Sequence, residues 1–396
     1  MRGHLRKRGK NSWTIVVDLG RDPSSGKRRQ QWVSIKGNKR DADRRLGEIL
    51  HQLDTGGMLM PAKTTVADFF KSWLRDYVET NLRPRTIEGY RMIIEAHLIP
   101  ALGHILLGQL LPAHLQSYYT EKLKHGRRDG RGGLSARTVL HHHRVLSEAL
   151  GHAVNWGLVF RNIAKAVTPP RPDHKEMNPL DRDGIILLLN AAQSTPYHPL
   201  LHLAIYTGMR RSELLGLRWK DVDFDMSNLS VVQTMHQLRD GRIIFQEPKT
   251  SKGRRMIALS PAAVISLRAH REQQEAERNT LGLQVTGDSL VFSKHGGRPL
   301  SPNSLSSAYT RLVKKAGLSH VRFHDLRHTH ATLMLKQGVH PKIVQERLGH
   351  ANISITLDTY SHVTPGLQEA AALRFDEGLC QEKPILLPVG TVDTNG

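Results

Sequence analysis

HDLRHTH, His324 to His330, is the stretch on which the reading of this chain turns. On a helix, His324 and His328 fall one turn apart on one face. The two ligands of a zinc-protease H-E-x-x-H do the same, and Asp325 fills the slot of its general base. Arg327, three residues after His324, shares that stripe. A fixed positive charge beside two such ligands repels a divalent cation, and Asp is one methylene shorter than the Glu the zinc motif needs. Two imidazoles and a guanidinium together suit a phosphate.

The whole chain leans the same way. Its 396 residues carry 57 Lys and Arg against 36 Asp and Glu, a formal net charge of +21, with a pI near 10.3. So large a surplus points to an anionic polymer, nucleic acid ahead of a membrane surface. The single cysteine, Cys380, excludes a disulfide framework and a cysteine-based zinc module. Ile185–Leu189 is too short to span a bilayer, and the basic N-terminus has no apolar core of a signal peptide. A cytoplasmic location and no membrane partner are expected. The length suffices for two or three domains.

Residues 1–55 open with RGHLRKRGK, which reads equally as a solvated tail or a DNA contact. SWTIVVDLG and QQWVSIKG alternate as strands about the turn RDPSSGKRR, and DADRRLGEILHQL reads as a helix with Asp41 as N-cap. This segment holds 14 Lys and Arg against 6 Asp and Glu, too much charge for so small a unit unless it meets phosphates. Trp13 and Trp32 read as its core, and DTGGMLMPAKT as a linker.

Residues 64–168 read as helical. Thr64 or Thr65 caps VADFFKSWLRDYVET, and RPRTIEGYRMIIEAHLIPALG ends at a Pro and a Gly. LPAHLQSYYTEKLKHG and LSARTVLHHHRVLSEALGHAVNWGLV supply two more helices. His141, His142 and His143 point around the last of these, so they read as solvated or DNA-facing rather than as a shared metal site. TPPRPDHKEMNP, with four prolines, is a second joint. Residues 175–378 read as mostly helical with one small sheet, in which RIIFQE and RRMIALS flank the turn PKTSKG. Ser260 and Pro261 open a long helix there.

Downstream of HDLRHTH comes PKIVQERLGHANISITLDTYSHV, and upstream lie TGMRRSELLGLRW and EPKTSKGRR. In this order and spacing the motifs resemble the catalytic domain of the tyrosine recombinase (phage integrase) family. That family has an Arg in T-G-x-R-x-x-E, a Lys in a β-hairpin, then H-x-x-R, L-G-H and a Tyr. The resemblance spans about 210–363 and implies the catalytic set Arg210, Lys249, His324, Arg327, His350 and Tyr360. Lys252 lies three residues from Lys249 in the same turn and competes with it.

The middle segment resembles the family's helical core-binding domain, and the first its arm-binding domain of three strands and a helix. The fold expected is therefore multidomain. It comprises a small α+β DNA-binding domain (1–55), an all-α core-binding domain (64–168), a mainly α (α+β) catalytic domain (175–378) and a C-terminal tail (379–396). TPGLQEAAALRFDEG (364–378) reads as an amphipathic helix, packed on its own domain or on a neighbour in the tetramer the family forms.

These residue types fit the chemistry. Attack on a DNA phosphodiester builds charge on the non-bridging oxygens, where two guanidiniums, Arg210 and Arg327, give bidentate and permanent charge. His350 adds a donor. Tyr360 is the nucleophile, His324 the base for its proton, and Lys249 the acid for the leaving 5′-oxygen. No cofactor and no metal is expected. The bland readings are that Arg210 pairs with Glu213, that Glu213 orients an arginine, and that His350 caps a helix C-terminus. Tyr309 and Tyr206 are then core aromatics, and His328 and His330 structural.

The resemblance implies a site-specific recombinase that integrates or excises a prophage or mobile element through a 3′-phosphotyrosyl intermediate. A type IB topoisomerase and a non-catalytic DNA-binding regulator are the alternatives. The implied partners are double-stranded DNA at core and arm sites and a homotetramer of the chain on DNA. An excisionase or other directionality factor and a host DNA-bending protein complete them.

Overall fold

The computed structural model describes residues 3–21, 28–54, 64–173, 179–319, 321–360, 372–373 and 375–376. The linker residues 55–63, most of the expected helix 364–378 and the tail 379–396 lie outside them. The chain divides into two compact units, Met1–His174 and Lys175–Gly396. Among the described residues, no helix is long and apolar enough to cross a membrane.

The basic run at the N-terminus is a strand rather than a tail. β1 (Gly3–Gly9), β2 (Ser12–Arg21) and β3 (Arg28–Lys36) form an antiparallel sheet in that order, followed by α1 (Lys39–Asp54). Alternation along β2 sends Ile15 and Val17, both 0 % exposed, toward Ile49 of α1. The cap of α1 differs from the expectation. The Asn38 side chain accepts from the Asp41 N–H, and the Asp41 carboxylate accepts from the Asn38 N–H. Asn38 is thus the N-cap, and Asp41 closes the reciprocal box from the first turn.

Trp32 is not core. It is 48 % exposed, because its neighbour Val33 pairs with Ile15 and faces α1, which turns Trp32 to the opposite face. There it pairs with Val16, and the Arg6 guanidinium sits 5.4 Å over its ring. Trp13, two residues from Ile15, shares the helix face and is half-buried.

The helical part begins at α2 (Val66–Trp73), where Thr65 accepts from the Asp68 N–H in a capping box. α3 (Pro84–Ile93) widens into a π-helical turn at Ile94–Leu98 and runs on through Ile99–Leu102. Pro100 therefore lies inside this helix and does not end it. The wide turn just before it takes up the misfit of a residue without an N–H. α4 (Pro112–His125) and α5 (Ala136–Asn155) complete a core of Phe69, Phe70, Trp73, Leu98, Leu115 and Leu146.

Two of the three consecutive histidines turn inward, against expectation. His142 is 1 % exposed with Nδ1 2.8 Å from the Tyr118 hydroxyl, and His143 makes the same contact to Tyr119 at 2.8 Å. Only His141 is exposed. The apolar stripe of α5 is wide enough to include both rings, and a tyrosine hydroxyl meets Nδ1 of each imidazole that enters it, while the buried Nε2 of His142 has no hydrogen-bond partner among the described residues.

The C-terminal unit packs α6 (Arg182–Ala192), α7 (His198–Thr207), α8 (Arg211–Gly216), α9 (Pro261–Asn279) and α10 (Pro302–Lys315). α11 (Asp325–Lys336), α12 (Pro341–Leu348) and α13 (Ile353–Tyr360) follow. Its core holds Leu188, Leu201, Leu214, Leu229, Leu305 and Leu326. Asp181, Ser260 and Ser301 cap α6, α9 and α10 through side-chain oxygens.

There are two small sheets here, where one was expected. β4 (Val222–Asp223), β5 (Asn228–Val231) and β8 (Arg255–Ala258) form the first, and β6 (Thr234–Gln237) and β7 (Ile243–Gln246) the second. The expected strand LSVVQT breaks at Val232–Gln233, where the Gln233 amide donates to the Gly216 carbonyl at 2.8 Å. The two strands flanking PKTSKG consequently do not pair with each other. β7 pairs with β6 and β8 with β5, so residues 247–254 form a connector between sheets rather than a hairpin tip.

Candidate active site

Four of the six expected residues gather where α8, α11 and α12 meet. Gly208, at φ 64°, ends α7 in the left-handed conformation and turns the chain sharply. A Cβ there would lie 2.7 Å from both His330 and Leu348, so only glycine fits. Two residues later Arg210 stands at the N-cap of α8. Its N–H donates to Glu213 Oε2 at 2.9 Å and its Nη1 to Oε1 at 2.7 Å.

Glu213 is 2 % exposed and serves two arginines. Arg255, from β8, donates Nη1 to Oε1 at 3.2 Å and Nη2 to Oε2 at 2.9 Å. Burial alone would raise the carboxyl, but Arg255, Arg210 and Arg327 together hold it at about 2. It is therefore an anion at neutral pH, fixing guanidiniums on two sides. Arg255 also donates Nε to the Arg347 carbonyl at 2.6 Å.

Arg327, 3 % exposed on α11, ties two helix ends together. Nη1 donates to the Gly208 carbonyl at 2.9 Å and Nη2 to the Leu348 carbonyl at 2.7 Å. Both acceptors lie at helix C-termini, where the partial negative charge of the helix favours a cation. Gly349, at φ 68°, ends α12, and His350 follows. The His350 N–H donates to the Gln345 carbonyl at 3.1 Å, and its Nδ1 lies 2.9 Å from Thr356 Oγ1. Thr356, 0 % exposed, sits on α13 one turn before Tyr360. The side chain of Tyr360 lies outside the described parts, while its backbone ends α13.

His324 precedes α11, and its ring meets that of His328 edge to face at 5.0 Å. Asp325 is not available as a base, because Arg322 binds it with Nε at 3.1 Å and Nη2 at 2.7 Å. Desolvation, then Arg327 and Arg210, push His324 below its usual range. Burial and the same two arginines push His350 down to about 3. Burial and His324 bring His328 to about 4. The site thus sets neutral imidazoles beside guanidiniums that never lose their charge.

Lys249 is exposed on the connector, outside the contacts that join the other four. Lys252, its competitor in the same turn, reaches the loop that carries His350, donating Nζ to the Ala351 carbonyl at 2.9 Å. His330 acts as a strut. Its Nδ1 donates to the Ile205 carbonyl at 2.9 Å, and Arg347 Nε donates to its Nε2 at 3.1 Å. Burial, then Arg347, holds it at about 4, so one neutral tautomer serves both bonds. Tyr309 is 2 % exposed, and burial raises its hydroxyl far above the ordinary range.

Sequence reasoning missed Arg255, Arg347 and Thr356. The one signal for Arg255 was its place in a strand that alternates after the connector, which gives the direction of a side chain but not its partner.

A family model described as "Phage integrase family" matches residues 179–366, and one described as "Phage integrase, N-terminal SAM-like domain" matches 65–123. A protein named "Tyrosine recombinase XerC-like" from Caldanaerobacter subterraneus subsp. tengcongensis is 28% identical over 380 residues, covering 91% of this chain and 94% of that one. The Tn1549 transposon integrase, solved with a circular intermediate DNA, matches at TM-score 0.66 and 22% identity, over 79% of this chain and 100% of that one. A lambda integrase tetramer bound to a Holliday junction matches at TM-score 0.54 and 20% identity, over 88% and 96%. At these identities the two structures establish a shared fold.

Proposed function

The chain belongs to the phage integrase family of tyrosine recombinases, enzymes that transfer DNA strands, and from that premise we propose how its own residues perform the step. Arg210 and Arg327 hold the non-bridging oxygens of a DNA phosphodiester. The Tyr360 oxygen attacks phosphorus and gives its proton to His324. The bond to the 5′-oxygen breaks, and that oxygen takes a proton from Lys249. His350, its Nδ1 engaged by Thr356, donates from Nε2 to the transferring phosphoryl group. The 3′-phosphotyrosine keeps the ester bond until a 5′-hydroxyl from another strand reverses the step.

The observation that carries this reading is the Glu213 hub. One buried carboxylate holds Arg210 and Arg255 while Arg327 is fixed by two backbone carbonyls, so the guanidiniums are set in place before substrate arrives. Preorganised positive charge of this kind favours a transition state in which phosphate charge grows. The neutral His324 beside it is in the right state to accept a proton.

The domain roles complete the reading: residues 1–55 bind arm-type sites, 64–168 grip the crossover core, and 175–378 carry the chemistry. In the first, His4, Arg6 and Trp32 lie on the sheet face opposite α1, a basic surface free to meet a DNA groove. The working form is a homotetramer on DNA, as the lambda integrase tetramer on a Holliday junction suggests. It integrates and excises a mobile element, with a directionality factor and a host DNA-bending protein as helpers.

Incubation with a nicked suicide substrate containing the element's attachment core tests it. A covalent complex that needs that core and resists denaturation is expected. Relaxation of a supercoiled plasmid lacking any attachment site would favour the topoisomerase reading, and the absence of an adduct would leave only a binding role.

A further inference from the structure

α7 separates the catalytic cluster from a cavity of about 710 Å³ in the same unit. Pro199 and Leu200, at the start of that helix, line the cavity, and Arg210 follows its end. Ten residues of helix put roughly 15 Å between the two sites. Nothing in this cavity contributes to strand transfer as described above.

One of its lining residues is Arg278 of α9, which is 6 % exposed. Nη1 donates to Ser289 Oγ at 2.9 Å and Nη2 to Ser293 Oγ at 3.1 Å. A guanidinium has five N–H donors, and hydroxyls carry no charge to offset it. Glu277, the acid that lines the cavity, is engaged at the rim by Gln273 at 2.9 Å and by His295 at 3.3 Å. Among the described residues, no carboxylate forms an ion pair with Arg278. Burial pushes its charged form toward deprotonation, with no neighbouring acid to counter it.

Gly297, at φ 79°, lays its loop on the guanidinium, and a Cβ there would stand 3.4 Å from Arg278 Cζ. A buried cation held only by hydroxyls is costly unless an anion completes its surroundings.

The cavity is far larger than a bare oxyanion and falls within the range of sites for small organic ligands. Tyr197 and Phe292, the latter 3 % exposed, are among its lining residues, with the His270 ring stacked on that of Phe292 at 5.4 Å. Lys294, at the rim, is a second cation. A phosphate monoester, with its charge of about −1.5 to −2, matches two cations better than a carboxylate does. We propose that this cavity binds a nucleoside monophosphate, with the phosphate against Arg278 and Lys294 and the base beside Tyr197 and Phe292.

Isothermal titration of the full chain, free of DNA, with adenosine monophosphate tests this. One saturable site is expected. Arg278→Gln should weaken it at least tenfold. Ser194→Trp should do the same by filling the cavity mouth while leaving the guanidinium in place. Circular dichroism checks that both variants are folded, and the second keeps the test open if the first is not. Four results would overturn the proposal: no binding; binding unchanged in both variants, which would place the nucleotide on the basic DNA surface; adenosine binding as tightly as its monophosphate; or inorganic phosphate or glucose 6-phosphate doing so.

Discussion

Arg255 and Glu213 form a two-point ion pair, Nη1 to Oε1 at 3.2 Å and Nη2 to Oε2 at 2.9 Å, with side chains 6 % and 2 % exposed. The pair joins a strand of the small sheet to the first turn of α8, and the same carboxylate holds Arg210. Removing the carboxylate would leave a buried Arg255 and loosen a residue proposed to touch the phosphate.

Glu213→Gln should therefore cost about 3–5 kcal/mol at neutral pH. The folded carboxyl sits at about 2 against an ordinary 4.5, so its contribution is complete above pH 4.5 and is lost as pH falls toward 2. That shift corresponds to stabilisation on the order of 3 kcal/mol. Urea unfolding of both proteins from pH 7 downward should show the gap between them closing across that window. A gap independent of pH would mean the carboxylate charge is not what holds the hub.

Tyr360→Phe should bind DNA normally and form no covalent adduct, since only the oxygen proposed as nucleophile is lost. Denaturing gels of suicide-substrate reactions read this directly. Tyr309→Phe should still form the adduct, because Tyr309 is buried in the core; the reverse pattern would move the nucleophile.

Lys249→Ala should slow cleavage of normal DNA roughly 10²–10⁴-fold, the usual cost of a missing general acid. A substrate with sulfur at the bridging 5′ position should restore the rate, since a thiolate leaves without a proton, thiols having a pKa near 8.5. Arg210→Ala should not recover on that substrate. Lys252 is already bound to the Ala351 carbonyl, so Lys252→Ala should disturb the connector without showing sulfur rescue. Rescue of Lys252→Ala alone would exchange the two assignments.

The pH profile of kcat/KM reports the free enzyme's acid and base. With His324 held below its usual 6.5 by desolvation and two arginines, its proposed role as base predicts that the acid limb of cleavage lies below pH 6.5. His324→Gln should remove that acid limb together with most of the rate. A limb centred above pH 6.5 that survives the substitution would point to another base.

Deleting residues 1–60 should abolish binding at arm-type sites and leave cleavage at the crossover core. Footprints of the truncated and intact proteins on an attachment region compare the two. Binding by the intact chain should also weaken steeply with salt, because many phosphates are neutralised at once.

The sequence by itself determined which motifs exist and in what order, because each is local. Gly208 and Gly349 mark turns that need a left-handed residue, Thr65 and Ser260 mark helix starts, and H-D-L-R places an imidazole and a guanidinium one turn apart. It also determined the catalytic candidates, since six reactive side chains in one order are rarely accidental. What only the tertiary structure decided are partnerships between residues far apart in the chain. Alternation gave the faces of β3 but not that Val33, rather than Trp32, meets α1. Two strands about PKTSKG suggested a hairpin, yet each pairs with an earlier strand, because Gln233 and Gly216 carry the chain from one sheet to the other. His142 and His143 looked like surface residues until two tyrosine hydroxyls were there to receive them. Arg255 meets Glu213 across 42 residues, a distance no local pattern encodes. A buried charge is legible only once its counter-charge is in place.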